Sequence, residues 1–184
     1  MLKHLFRRPP FEREAHDLYV ALVQQARRPV FYQEMGIPDT PEGRFELVVL
    51  HAFLLISRLN AEIGKTRELS QQVFDVWFGD MDSALRELGI GDIGVGKRVK
   101  RMVESFYGRA TAYETGLKSK DEALQAAFAR NIFAHKEPSP GVLEALDGYV
   151  RAQRSALQAV ELDTLMRGQL VFNDVEPVIR ENSS

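Results

Sequence analysis

The sequence predicts an all-α fold, a single compact multi-helix domain of about six or seven helices. Three observations carry this reading. Apolar residues recur at helical spacing along most of the chain, and no run shows sustained strand alternation. Two of these runs open on a hydroxyl residue followed by proline, a helix-start signal. Finally, 184 residues with 45% apolar and 27% charged content suit one globular core and leave no linker to divide domains.

The first helix is expected over Glu12 to Ala26, with Ala15, Leu18, Tyr19, Leu22 and Val23 on one face and Arg27-Arg28-Pro29 ending it. The segment FYQEMGIPDTPEG, rich in glycine and proline, reads as irregular. Thr40-Pro41 then starts a helix that runs to about Asn60. Its wide apolar face (Phe45, Val48, Val49, Ala52, Phe53, Ile56 and Leu59) places it centrally. A third helix is expected over Leu69 to Phe78, broken by Gly79. A short one follows over Met81 to Leu88, with Asp80 as its cap.

Gly89, Gly91, Gly94 and Gly96 read as a flexible link into a long helix from about Val95 to Leu117. That helix carries Val95, Val99, Met102, Val103, Phe106, Ala110, Tyr113 and Leu117 at helical spacing. Ser119 would cap a helix over Lys120 to Phe133. Ser139-Pro140 would open the last helix, Val142 to about Met166. Residues 1–11 and 174–184 read as loosely ordered ends.

Composition removes several function classes. There is no cysteine, so disulfides, thiolate metal sites and cysteine nucleophiles are excluded. A net charge of −2 gives no global attraction to nucleic acid, and no nucleic-acid partner is expected. The longest apolar stretch, Phe45 to Ile56, contains Glu46 and His51, whereas a membrane span needs roughly 20 apolar residues. The N-terminal MLKHLFRRPPFER does not read as a signal peptide. Lys3, Arg7 and Arg8 beside Leu2, Leu5 and Phe6 leave open a peripheral contact with an anionic membrane surface or a loose start.

The most functional-looking stretch is Gly89 to Arg109. Gly89-x-Gly91-x-x-Gly94 imitates a dinucleotide fingerprint, but a helical SALREL precedes it where a strand is required. Gly91 to Lys97 imitates a phosphate loop, yet Arg98 stands where a magnesium-binding hydroxyl belongs. Neither is read as a nucleotide site. Lys97, Arg98, Lys100 and Arg101 crowd the first turns of a helix, against its macrodipole. They are a solvated face, or they answer acidic groups in the fold or on a ligand. His4, His16, His51 and His135 form no metal-ligand cluster, and His51 is expected as a hydrogen-bonded core residue. Trp77, Phe74 and Phe78 beside Met81 read as core, or as a groove for an apolar segment.

The stretch QQVFDVWFGDMDSALRELGIGDIGVGKRVKRMVESFYGRATAY, Gln71 to Tyr113, resembles the signature region of the ubiquinol–cytochrome c chaperone family. GRFELVVLHAFLLISRL upstream and ALQAAFARNIF downstream extend the resemblance over roughly Phe31 to Phe133. Its specific pieces are FGDMDSALRELGIGD, VGKRVKRM and FYGR. The resemblance implies a non-catalytic assembly factor that binds cytochrome b and aids biogenesis of the cytochrome bc1 complex, with no cofactor. Bacterial relatives lack a targeting extension, so it also implies a bacterial cytoplasmic protein working at the inner membrane face. The residues expected to meet the client are Phe74, Trp77, Phe78, Met81, Lys97, Arg101, Met102, Tyr107 and Arg109. The competing expectation is a helical enzyme or small-molecule binder with a pocket near Trp77 and Tyr107.

Overall fold

The computed structural model describes residues 10–87, 89, 91–133 and 136–175. The all-α class holds: among the described residues there are eight helices, six of nine residues or more and two of five. They are α1 (Glu12–Ala26), α2 (Pro29–Gln33), α3 (Pro41–Asn60), α4 (Ile63–Glu87), α5 (Asp92–Lys118), α6 (Ala123–Asn131), α7 (Pro140–Ala159) and α8 (Leu162–Met166).

Helix α3 is the axle. Its apolar residues are buried on every side, and α1, α4, α5 and α7 all pack on it. Thr40 caps it as the sequence indicates, its Oγ1 accepting from the Gly43 N–H at 3.2 Å. Ser139 does the same for α7, accepting from the Val142 N–H at 3.4 Å.

Several boundaries differ from expectation. The irregular stretch contains α2, because Pro29 at its first turn fixes a helical φ and Phe31 is drawn into the core. Gly79 does not break the chain: α4 runs unbroken from Ile63 through it, held by buried Trp77 on one side and Met81 packed on the core on the other. Asp80 is therefore no cap, but accepts a 2.6 Å hydrogen bond from the Tyr19 hydroxyl of α1. The glycine link is shorter than expected. Gly89 turns the chain at φ +78, Gly91 is the N-cap, and Gly94 and Gly96 lie inside α5. Asp92 in the first turn suits the positive end of the helix and pairs with Arg86.

Helix α7 stops at Ala159 instead of reaching Met166. Arg58 of α3 donates to the Leu157 carbonyl at 2.9 Å and to the Val160 carbonyl at 3.0 Å, closing a helix end with a cation. Arg151 does the same for α5, reaching the Gly116 and Leu117 carbonyls at 3.2 and 3.1 Å. Ser119 belongs to that junction. Its Oγ accepts from the Asp121 N–H, and α6 begins only at Ala123.

His4, Lys3, Arg7, Arg8, Leu88, His135 and residues 176–184 lie outside the described residues. At the ends, Phe11 packs against the core, Val175 is buried and Asp174 pairs with Arg28.

Candidate functional site

Helices α4 and α5 form an antiparallel hairpin. Across residues 79–105, Val95 is the single buried position among the described side chains. This hairpin therefore carries its apolar residues half in view. On α4, Phe74, Phe78, Met81 and Leu85 are spaced four, three and four residues apart, so they share one stripe, and all four are half-buried. On α5, Val103 and Tyr107 lie four apart, and Tyr107 is 58% exposed.

The rings knit the two helices together. Phe74 stacks on Phe78 at 5.8 Å and on Tyr107 at 6.2 Å. Beneath them Trp77 lies 4.9 Å from Phe78, 5.2 Å from Phe106 and 6.4 Å from Phe45 of α3. Trp77 is core, 1% exposed, as the first reading expects, while Phe74 and Phe78 are half-buried and Tyr107 is exposed above it. The Trp77 indole N–H is buried without a hydrogen-bond acceptor among the described residues. Such a group costs about 1–3 kcal/mol, so surrounding ring packing must offset it.

Arg109 lies under this face and not on it. It makes a two-pronged pair with Glu46 of α3 at 2.6 and 2.5 Å, and also reaches Ser105. Burial pushes the Glu46 carboxyl up from its ordinary range, and the Arg109 guanidinium pulls it back. The pair fixes α5 against α3 beside the aromatic cluster.

Lys97, Arg98 and Arg101 are exposed and have no ion pair among the described residues. Lys100 approaches Glu104 at 3.8 Å. In helical projection Lys97, Lys100, Arg101 and Glu104 lie on the side of α5 away from buried Val95, Phe106 and Tyr113. Met102 is half-buried on that inner side. Of the nine residues singled out from sequence, Phe74, Trp77, Phe78 and Tyr107 are joined by ring contacts, and Met81 continues their stripe. Lys97 and Arg101 stand apart toward the start of α5. Phe45, Phe106 and Glu46 complete the cluster, although sequence reading did not assign them to it. Phe45 and Phe106 gave only the helical apolar period, and Glu46 gave no signal beyond a charge in an apolar run.

An open cleft of about 960 Å³ lies between the α5–α6 turn and α7. Ser119, Asp121, Gln125, Asp147 and Arg151 line it, so it is remote from Trp77 and Tyr107. Among the described residues no group of acidic and histidine side chains is arranged to hold a metal ion. No described helix is long and apolar enough to cross a membrane.

Comparison with known proteins gives one consistent answer. The crystal structure of the Cbp3 homolog from Brucella abortus superposes with a TM-score of 0.81 at 39% identity, covering 95% of this chain and 98% of that one. The ubiquinol-cytochrome-c reductase complex assembly factor 1 of Xenopus laevis is 26% identical over 156 residues, 84% of this chain and 78% of its own length. The mouse protein of that name is 25% identical over 166 residues, and there the chain spans only 55% of the relative's length. Residues 33–172 match the family described as ubiquinol-cytochrome C chaperone. The match thus runs beyond Phe133, through α7 and α8, and covers the whole aromatic hairpin: the chain belongs to the ubiquinol–cytochrome c chaperone family.

Proposed function

We propose that this protein is a non-catalytic assembly chaperone that binds cytochrome b, newly made or newly inserted, and assists biogenesis of the ubiquinol–cytochrome c reductase complex. The observation that carries the reading is the half-exposed ring and methionine stripe along the α4–α5 hairpin. An apolar helix of a membrane subunit needs cover until it is placed, and such a stripe suits a helix laid along it. Burying each further side chain contributes about 1.5–3 kcal/mol, so a few contacts suffice for transient holding. Methionine and stacked aromatics adapt to several apolar partners.

In this reading Phe74, Phe78, Met81 and Tyr107 touch the client. Trp77 and Arg109 hold them in place from below, Met102 extends the apolar side, and Lys97 and Arg101 form the charged rim. The work is done in the bacterial cytoplasm at the inner membrane face. Family membership supports the assembly role, and the relatives' names supply the complex.

The test is photo-crosslinking in cells from position 78 or 107, with position 144 on the exposed side of α7 as control. Cytochrome b adducts are expected from 78 and 107 and not from 144. Equal capture from all three positions, or normal cytochrome bc1 levels after deletion of the gene, would overturn the proposal.

A further inference from the structure

Beyond α8 the chain stops being helical, but it stays on the body. Gly168 turns at φ +74 against α1, where a Cβ would stand 2.8 Å from Glu14 Cα and 3.0 Å from Glu14 O. Phe172 and Val175 are then buried, while Val171 between them and the hinge is 87% exposed. The Phe172 ring stands edge-on to His51 of α3 at 5.4 Å.

The main chain of Asn173 is gripped at both of its polar groups. Its N–H donates to Gln153 Oε1 at 3.0 Å, and its carbonyl accepts from Gln153 Nε2 at 2.8 Å and from Gln25 Nε2 at 3.0 Å. Gln25 of α1 and Gln153 of α7 are both buried. Behind them Gln25 donates to the Tyr149 hydroxyl, which meets His51 Nε2 at 2.7 Å. Among the described residues no hydrogen bond from main chain to main chain holds residues 170–175. Side chains of the surrounding helices hold this segment: two apolar sockets, and two amides that read the peptide group and not the Asn173 side chain. That is how proteins recognise short peptides. An empty groove would leave the buried amides unsatisfied.

We propose that the groove between α1, α3 and α7 is a binding site for a short non-helical peptide, and that residues 169–175 are its releasable, intramolecular occupant. The ligand needs an aromatic residue, then a residue of any type whose amide is free, and an aliphatic residue three places after the aromatic. The site lies outside the aromatic hairpin and does not depend on the client proposal. In the intact protein the tethered segment outcompetes free peptide, because a short tether gives effective concentrations on the order of millimolar.

The experiment uses full-length protein and a labelled heptapeptide with the sequence of residues 169–175. Phe172→Ala removes the tethered segment's anchor. Gly168→Ala strains its hinge. Each variant is expected to bind the peptide at least about tenfold more tightly than the parent. Adding Gln153→Leu, which damages the groove itself, should remove that gain. A peptide carrying Phe172→Ala should fail to bind, and one carrying Val171→Ala should bind normally. Equal binding by parent and both variants overturns the proposal, as does indifference to the peptide's Phe172. Hydrogen exchange of the unaltered protein decides independently of variant folding. A releasable segment lets the Asn173 amide exchange at least about tenfold faster than the amides of α3. Exchange at the α3 rate would make it a fixed part of the core and sink the idea.

Discussion

The ring of His51 is fully buried, and its partners dictate its protonation. Nδ1 lies 2.7 Å from the Leu47 carbonyl, which can only accept, so Nδ1 carries the proton. Nε2 must then accept, and the Tyr149 hydroxyl donates to it, leaving the Tyr149 oxygen free to receive Gln25. A second proton on His51 would turn Nε2 into a donor and take away the acceptor of the Tyr149 hydroxyl. Burial accordingly pushes the His51 pKa down from 6.5 to about 4. The unfolded chain takes up a proton near pH 6.5 while the folded chain refuses it until about pH 4. Stability from this residue is thus complete above pH 6.5 and falls with pH across that window, by roughly 3 kcal/mol in all. Glu46 acts oppositely: its raised pKa makes the folded state the better proton acceptor just above the ordinary glutamate range. Urea unfolding at pH 7.5 and 4.5 separates the two. His51→Gln should lose less stability over this interval than the parent, by roughly 2–3 kcal/mol. Identical losses would show that His51 does not titrate as its partners demand.

Among the helices, α4 and α5 show how a glycine's surroundings decide its role. A Cβ at Gly79 would meet nothing within 4 Å, so Gly79→Ala should add roughly 0.5–1 kcal/mol through helix propensity alone. At Gly116 a Cβ would stand 2.6 Å from Leu124 Cα, where α6 crosses α5. Gly116→Ala must push two backbones apart and should cost roughly 1–3 kcal/mol. Thermal melts of the two variants should move in opposite directions. From sequence these glycines look alike, and that is why α4 reads as two helices. Helices α1, α3 and the start of α7 were legible because their signals are local: an apolar period, a hydroxyl cap, a proline in the first turn. The end of α7 was not, because Arg58, some hundred residues away, closes it. The start of α4 hides in the polar run Ile63 to Glu68, where Thr66 reaches back to the Leu59 carbonyl at 2.5 Å.

At the level of the whole molecule, α3 is buried around its middle turns and α1, α4, α5 and α7 wrap it, which leaves the far part of the α4–α5 hairpin beyond the core. Sequence spacing supplied the rings of that hairpin but not their depth. The periods of Phe74, Trp77 and Phe78 are the same whether a residue faces inward or out, and only the packing of Phe45 and Phe106 puts Trp77 beneath the others. Arg109 likewise reads as surface charge until Glu46 is found opposite it. The seat of residues 172–175 gave no signal at all, because two buried glutamines more than a hundred positions apart, Gln25 and Gln153, hold the Asn173 main chain there. Trp77 is also the chain's one tryptophan. All indole fluorescence therefore arises from a dry pocket directly under the proposed contact face, and the folded protein should emit at short wavelength. An apolar peptide laid across Phe78 and Tyr107 should alter the intensity of that emission, whereas the residue 169–175 heptapeptide, bound between α1, α3 and α7, should leave it unchanged. The molecule thus carries a built-in optical reporter that tells its two proposed sites apart without any label.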